Sequence, residues 1–158
     1  MALGLQGLHA NNIIHRDIKI ENILMSDLSV NSKVRLGDLG SAVLLQSPND
    51  TTKFRIGTPG FIAPEIIMGV PYGFKVDVWS LGCLMHALLV ALPPFWDEDR
   101  KTRNRKVCEE ELDLDSNPFA ARLTPACKDF LRMLLAKDPA QRPSIEQVFN
   151  APWLRDAY

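Results

Sequence analysis

The longest apolar run of the chain extends from Val78 to Phe95 and limits the folds that are open to it. Ser80 and His86 interrupt the run, and two consecutive prolines lie near its end. A helix that crosses a bilayer needs about 20 consecutive apolar residues, so this run does not predict a membrane partner. It predicts instead a helix over residues 75–92 that is apolar on all sides, buried inside a folded domain and stopped by the prolines.

The remaining periodicity predicts a mainly α-helical domain that contains one small β-hairpin. Apolar residues recur at helical spacing in residues 1–9, 124–136 and 144–149, with Thr124 as the N-cap of the second of these segments. Two short apolar segments, 23–25 and 33–36, predict strands joined by a polar turn. Residues 37–59 show no sustained period, and a loop of that length in a compact domain is usually functional.

Composition and charge narrow the classes of partner. The 158 residues suggest one domain, and a net charge of −1 gives no indication of nucleic acid or an anionic membrane as a partner. The basic cluster at residues 100–106 is flanked by acids on both sides, which favours a solvated helix face over a binding patch. Three cysteines without metal-ligand spacing predict a reducing compartment, either the cytosol or the nucleus.

Residues 12–24, NIIHRDIKIENIL, place an acid, bases and an amide between isoleucines. Asp17 and Asn22 lie five positions apart, and Asp38 follows in the segment GDLGS. A phosphoryl-transfer site needs a carboxylate aimed at a hydroxyl, oxygen ligands for Mg²⁺ and a cation near the moving phosphate. The isoleucines at positions 14, 18, 20 and 23 are expected to anchor this loop in the core, so that its polar side chains point into a cleft.

Further motifs follow in order along the chain: GTPGFIAPE at 57–65, DVWSLGC at 77–83 and DPAQRPS at 138–144. Together with HRDIKIEN, they make the chain resemble the protein kinase family from about residue 4 to residue 154. The resemblance implies the C-terminal lobe of the kinase fold, with residues 1–158 forming a partial protein kinase domain. Lys19, two positions after Asp17, makes the chain resemble the serine/threonine kinases. The segment GTPGFIAPE, together with PWL near the end of the chain, resembles the calcium/calmodulin-dependent branch.

What this resemblance implies is a serine/threonine protein kinase, which transfers the γ-phosphate of ATP to a Ser or Thr hydroxyl of a protein substrate. Asp17 would be the catalytic base that orients this hydroxyl, and Lys19 would contact the transferring phosphate. Thr58 would contact both residues and help to select hydroxyl substrates. His15, in contrast, is expected to be a core histidine with satisfied hydrogen bonds and no catalytic role.

The resemblance also assigns residues to the cofactors ATP and Mg²⁺ and to the internal framework. Asn22 and Asp38 would hold the metal, and Leu24 would pack beneath adenine. Glu65 would pair with Arg142 in the interior, where the loss of one partner should cost roughly 3–5 kcal/mol.

Two further roles concern the catalytic loop and its control. Asp77 would accept hydrogen bonds from the backbone around His15 and Arg16. Arg16 implies control by phosphorylation of residues 41–55, because a phosphate could pair with its guanidinium group. Thr52 is the preferred acceptor in that segment, with residues 47 and 51 as the alternatives.

The same resemblance implies that an N-terminal lobe is absent from this sequence. No G-x-G-x-x-G motif occurs, and only 16 residues precede Asp17. A kinase needs that lobe to hold the nucleotide, so the chain is expected to be incompetent alone and to require a missing lobe or a parent chain. The alternative is a non-catalytic fragment that acts as a protein-binding module. With part of its cover missing, the apolar helix at 75–92 is also expected to leave an exposed patch that promotes association.

Overall fold

One helix, four short strands and then six helices follow one another in residues 2–29 and 32–155, the part of the chain that the computed structural model describes. The helices are α1 (Ala2–Ala10), α2 (Pro64–Met68), α3 (Lys75–Val90), α4 (Arg100–Glu109), α5 (Pro125–Leu134), α6 (Ile145–Phe149) and α7 (Pro152–Arg155). The strands are β1 (Ile13–Ile14), β2 (Ile23–Met25), β3 (Val34–Leu36) and β4 (Val43–Leu44). The prediction of a mainly helical chain with few strands is confirmed.

Helix α3 is the central element of the core. Trp79, Cys83 and Leu84 on this helix are fully or almost fully buried, as the apolar run predicts. The helix is two residues shorter than predicted, because Ala91 adopts a left-handed conformation and ends it before the prolines. It is also not covered on all sides, since Leu88 is 65% exposed. None of the helices in the described ranges has both the length and the apolar character to cross a membrane.

Helix α5 packs against α3, and α6 packs against α1. The predicted N-cap is present on α5, where the Thr124 side chain accepts a hydrogen bond from the Cys127 backbone and Pro125 occupies the first turn. Ser144 and Gln147 form a reciprocal capping box at the start of α6. These local signals explain why both helices begin where the sequence predicts.

The predicted hairpin is formed by β2 and β3, which pair antiparallel with Leu24 opposite Arg35. Two expectations about the neighbouring segments are wrong. Residues 37–59 are not wholly irregular, because β4 pairs antiparallel with β1 and Thr52 forms a backbone bridge with Tyr72. Ile20 is not a core anchor but is 47% exposed, because residues 20–22 form a 3₁₀ turn that rotates its side chain outward.

Candidate active site

The loop between β1 and β2 carries the candidate catalytic residues. A buried isoleucine fixes each end of the first half of this loop. Ile14 and Ile18 are fully buried, so the backbone between them is fixed against the core. His15 lies between these anchors and is also fully buried. The predicted anchoring is therefore complete at two of the four isoleucines, whereas Ile23 is half-buried.

Asp77, from the first turn of α3, fixes the backbone of this loop. Its Oδ2 atom accepts from the His15 backbone at 2.8 Å, and its Oδ1 atom accepts from the Arg16 backbone at 2.8 Å. Arg16 has a φ of 67°, a left-handed conformation that is uncommon for a residue with a side chain. Such strain persists only where the surroundings impose it, and the buried Asp77 carboxylate does so here.

His9 is a member of this network that sequence reasoning missed. Its Nε2 atom lies 2.9 Å from Asp77 Oδ2, and its ring lies 4.9 Å from the ring of Phe74. The two residues of the pair are 68 positions apart. No local pattern marks a contact of that separation, so only the tertiary structure reveals it.

The His15 ring connects the catalytic loop to the segment that carries Asp38. Its Nδ1 atom accepts from the Asp17 backbone at 3.3 Å, and its Nε2 atom lies 3.0 Å from the carbonyl oxygen of Gly37. These contacts require a proton on Nε2 and none on Nδ1. Both nitrogen atoms of the ring are thus engaged by backbone, which agrees with the expectation of a core histidine.

Asp17, Lys19 and Thr58 form a closed triangle of polar contacts. Lys19 Nζ lies 2.8 Å from Asp17 Oδ2, and the Thr58 hydroxyl donates to Asp17 Oδ1 at 2.6 Å. Lys19 Nζ also donates to the Thr58 hydroxyl at 3.0 Å. The contacts that the kinase resemblance assigns to Thr58 are therefore present, although Thr58 follows Asp17 by 41 positions.

This arrangement keeps the Asp17 carboxylate ionised. Burial by itself would raise the pKa of Asp17, but hydrogen bonds from Lys19, Thr58 and Asn22, with the charge of Lys19, outweigh it and lower the pKa below its ordinary value. The hydrogen bond to Asp17 in turn raises the pKa of Lys19, and the charge of Asp38 adds to that effect. A deprotonated carboxylate beside an ammonium group is what a base paired with a phosphate-binding cation requires.

Asn22 and Asp38 offer oxygen atoms at the edge of the triangle. The Asn22 amide nitrogen donates to the Asp17 carbonyl at 2.8 Å and to Asp17 Oδ2 at 3.3 Å. The amide nitrogen is therefore engaged with Asp17, and the amide oxygen is the atom that remains as a potential ligand. Gly37 donates its backbone N–H to the Asn22 carbonyl at 2.8 Å, which brings the start of the Asp38 segment against Asn22.

Asp38 has a backbone conformation that is uncommon for a residue with a side chain. Its φ is 57°, in the left-handed region, and its Oδ1 atom accepts from the Gly40 backbone at 3.0 Å. The side chain is exposed, so a ligand can reach its second oxygen. An amide oxygen and a carboxylate suit Mg²⁺, which prefers hard oxygen ligands and takes the remainder from phosphates and water. The donor set fits, whereas the described residues contain no cluster of three or more His, Cys, Asp or Glu residues that could hold a metal.

Glu65 and Arg142 form the predicted interior pair. The two guanidinium nitrogen atoms donate to the two carboxylate oxygens, both at 2.7 Å, and both side chains are buried. Arg142 also donates to the backbone carbonyls of Ala136, Lys75 and Lys137. This network ties α2 and α3 to the segment before α6, behind the candidate site.

The two remaining predicted residues lie at the margins. Leu24 is exposed on β2, where an aromatic ring could pack on it. Thr52 lies in the segment 41–55, where its backbone forms a bridge with that of Tyr72. The Arg16 guanidinium, which would meet a phosphate on this segment, donates to the Ser41 carbonyl at 2.6 Å and to the Tyr72 hydroxyl at 3.5 Å.

A helical domain that presents a carboxylate, a lysine, an amide and a second carboxylate in this way has the features of a phosphotransferase of the protein kinase class. The Protein kinase domain family matches residues 1–154, and the chain therefore belongs to this family. The chain is 36% identical over 146 residues to the calcium/calmodulin-dependent protein kinase type II subunit delta of Oryctolagus cuniculus. The alignment covers 92% of this chain and 27% of that relative, so the chain spans about a quarter of its length. The predicted similarity to the calcium/calmodulin-dependent branch is confirmed.

Proposed function

We propose that the chain is the C-terminal lobe of a serine/threonine protein kinase, which transfers the γ-phosphate of ATP to Ser or Thr hydroxyls of proteins. One observation carries the proposal: the Asp17 carboxylate already accepts a short hydrogen bond from a threonine hydroxyl, that of Thr58, at 2.6 Å. A carboxylate held in this way is suited to receive a hydroxyl of the substrate. The other carboxylate oxygen of Asp17, Oδ2, lies 2.8 Å from the Lys19 ammonium nitrogen.

In the proposed reaction, Asp17 orients the acceptor hydroxyl and receives its proton as the new bond to phosphorus forms. Lys19 stabilises the negative charge of the transferring phosphate, while Thr58 keeps Asp17 and Lys19 in register. Asn22 and Asp38 would hold Mg²⁺, and Leu24 would contact adenine. Bound Mg·ATP would supply the γ-phosphoryl group: the bond from the γ-phosphorus to the bridging oxygen would break and ADP would leave, while Mg²⁺ would offset part of the negative charge.

The proposal includes a requirement for a second lobe. No glycine-rich phosphate-binding loop occurs within these 158 residues, so a lobe on a parent chain or on a separate one would hold the phosphates from the opposite side. Phosphorylation of Thr52 would place a charge on the segment that Arg16 contacts. Free cysteines at positions 83, 108 and 127 are compatible with action in the cytosol or the nucleus.

The test is phosphate transfer by a chimera that adds the N-terminal lobe of the rabbit relative to this chain. Asp17→Asn should lower kcat by at least about 10²-fold, the lower range for a positioned base. Asp27→Asn is the matched control, because Asp27 lies on an exposed turn and bonds only to neighbouring serines in the described structure. Equal turnover of the Asp17 variant and the parent chimera would remove Asp17 from the mechanism.

The metal assignment is tested in the same chimera by nucleotide binding. Asp38→Asn should weaken Mg²⁺-dependent binding of ATP but should not weaken binding in excess chelator, because without the metal the carboxylate only repels the phosphates. Isothermal titration with and without Mg²⁺ measures both quantities. Identical Mg²⁺ dependence in the variant would contradict a metal-binding role.

A second candidate function is a non-catalytic module that binds substrates or a parent kinase. It is favoured by the exposed apolar side chains of Leu24 and Leu39, on the surface where the nucleotide would bind. Phosphate transfer by the chimera separates the two candidates, because a non-catalytic module predicts none, and thermal shift of the 158-residue chain with Mg·ATP shows whether this chain holds the nucleotide by itself. A rise of several degrees indicates a usable nucleotide site on this chain alone, and no rise favours the binding module or dependence on a second lobe.

A further inference from the structure

A basic groove lies beside the candidate active site, between residues 55–62 and helix α4. It has a volume of about 280 Å³. Three arginines contribute to its lining, namely Arg55, Arg100 and Arg103, and the other polar side chain in it is that of Asn104. The remainder is glycine, proline and aliphatic residues, so no carboxylate lines the groove.

The groove begins at the residues that flank Thr58. Gly57 and Pro59 both line it, and the Thr58 hydroxyl between them bonds to Asp17. An extended peptide advances about 3.3–3.6 Å per residue. If the acceptor hydroxyl of a substrate peptide lies at Asp17, a side chain roughly one to three residues away along the peptide would therefore reach the groove.

The acidic groups closest to the groove along the chain are engaged elsewhere. Asp99 caps α4 by accepting from the Thr102 backbone at 2.7 Å, and Asp97 pairs with Lys106 at 3.0 Å. Arg103 is buried, yet its Nη1 atom donates to the carbonyl of Asp97 and not to a carboxylate. Within the described ranges, none of the three groove arginines forms an ion pair. With three arginines and no carboxylate in its lining, the groove carries a surplus of positive charge.

The basic cluster at residues 100–106 is only in part the solvated helix face that the sequence predicts. Lys101 and Arg105 are indeed exposed, but Arg103 is buried against Trp96, whose ring centroid lies 5.0 Å from the guanidinium carbon. The aromatic contact and the backbone bond hold Arg103 in place, as a preorganised binding residue requires.

We propose that this groove binds the carboxylate of an Asp or Glu residue in the protein substrate, close to the phosphoacceptor. The proposal rests on the proposed kinase function and adds to it a substrate class, that of proteins with an acid near the acceptor. Guanidinium groups bind carboxylates by paired, charge-assisted hydrogen bonds, and Arg100 and Arg55 are exposed enough to close on such a group. Phosphoserine shares the anionic chemistry, and the experiment separates it from carboxylate.

The test measures peptide binding to the 158-residue chain by fluorescence anisotropy, which needs neither nucleotide nor turnover. Serine peptides carry Asp, Ala, Lys or phosphoserine at each position within three residues of the acceptor. We expect about tenfold tighter binding of Asp over Ala at one position, with Lys the weakest there. Arg55→Gln with Arg100→Gln should abolish the preference, and Lys101→Gln, next to Arg100 on α4 but outside the groove, should preserve it.

A charge reversal makes the test independent of any loss of stability. Arg100→Glu should transfer the preference at that same position from Asp to Lys peptides, which an unfolded variant could not do. The proposal is overturned if no peptide discriminates, if the Asp preference survives in the double variant, or if it is equal at every position. It is also overturned if only phosphoserine is preferred. The kcat of Asp17→Asn in the chimera decides the kinase function separately.

Discussion

The Glu65–Arg142 pair is a single contact on which three segments depend. Its members are 3% and 0% exposed, so neither charge can be hydrated if the other is lost. Removing one partner of a buried pair costs about 3–5 kcal/mol, since an unpaired charge remains in the interior. We predict a loss of that size in the free energy of unfolding for Glu65→Gln, measured by urea denaturation.

An exposed pair provides the control for this prediction. Arg105 and Glu110 approach to 2.9 Å, but their side chains are 51% and 42% exposed. Solvent weakens such a pair, and Glu110→Gln should change the unfolding free energy by less than about 1 kcal/mol. If the Glu65 and Glu110 variants lose similar stability, the buried pair does not have the structural role inferred for it.

Lys137 is a partly buried cation whose charge responds to pH in an accessible range. Its ammonium group donates to the carbonyls of Val107 at 2.7 Å and Lys106 at 3.3 Å and lies 3.5 Å from the centroid of the Phe95 ring. Burial lowers the pKa of Lys137 from 10.5 to about 8, although the charge of Glu111 opposes this. Between these two values the unfolded chain binds more protons than the folded one, so folding stability must rise with pH.

We therefore predict that the stability of the native chain relative to Lys137→Met increases from about pH 8 to about pH 10.5. Below that window both states carry the charge, and the difference should be constant. Urea denaturation across the range measures it, with Lys101→Met as the control for an exposed lysine. A difference curve that stays flat through the window would show that burial does not depress the pKa of Lys137.

At the scale of elements, the packing of α3 on α5 depends on the absence of one side chain. A Cβ atom on Gly82 would lie 2.9 Å from Leu134 Cβ and 3.0 Å from Leu135 Cδ2. The first of these atoms adjoins the backbone and cannot move alone. Alanine would gain about 1 kcal/mol of helix propensity, but overpacking a core costs about 1–3 kcal/mol. We predict that Gly82→Ala lowers the melting temperature of the chain.

Gly7 on α1 is the control that separates the gain in helix propensity from the cost of overpacking. A Cβ atom at this position would meet no heavy atom within 4 Å. Gly7→Ala should therefore stabilise the chain by up to about 1 kcal/mol and raise its melting temperature. Opposite signs for the two substitutions support the close helix contact, and stabilisation by both would contradict it.

The elements also show how far the sequence alone could predict the structure. Thr124 and Ser144 could be identified as helix starts because an N-cap depends on residues within one turn. β4 could not, because two residues form a strand only when a distant partner, β1, is adjacent. The exposure of Ile20 could not be predicted either: its apolar side chain indicated a core anchor, whereas the 3₁₀ turn of residues 20–22 directs it outward.

In the candidate site, too, contacts within one loop could be predicted from the sequence, whereas contacts between distant segments could not. Asp17 and Asn22 lie within one loop, so their local motif was sufficient to place them together. Thr58 was placed beside them only through the kinase resemblance. His9 on Asp77 and the burial of Arg103 had no sequence signal, since each depends on surfaces that meet only in the folded chain. The sequence therefore predicted the polar contacts within the loop better than the contacts that distant segments make with it.

At the scale of the whole molecule, one apolar face of the described structure stands open to solvent. A groove of about 460 Å³ runs between α1, α3 and the C-terminal helices. Leu84 and Met85 line its α3 side, together with the exposed Leu88, and Phe149 lines the opposite side. Soluble domains seldom leave such a face uncovered, because burying it releases roughly 25 cal/mol per Å² of apolar surface.

The open face leads to a prediction about association in solution. The 158-residue chain should show sedimentation coefficients that rise with concentration, and Leu88→Glu should reduce this dependence by placing a charge in the groove. Leu28→Glu is the matched control, because Leu28 is 99% exposed on the hairpin turn but does not line this groove. The position of the side chain, not its exposure alone, should therefore decide the result. An equal effect of both substitutions would mean that general charge repulsion, and not this face, controls association.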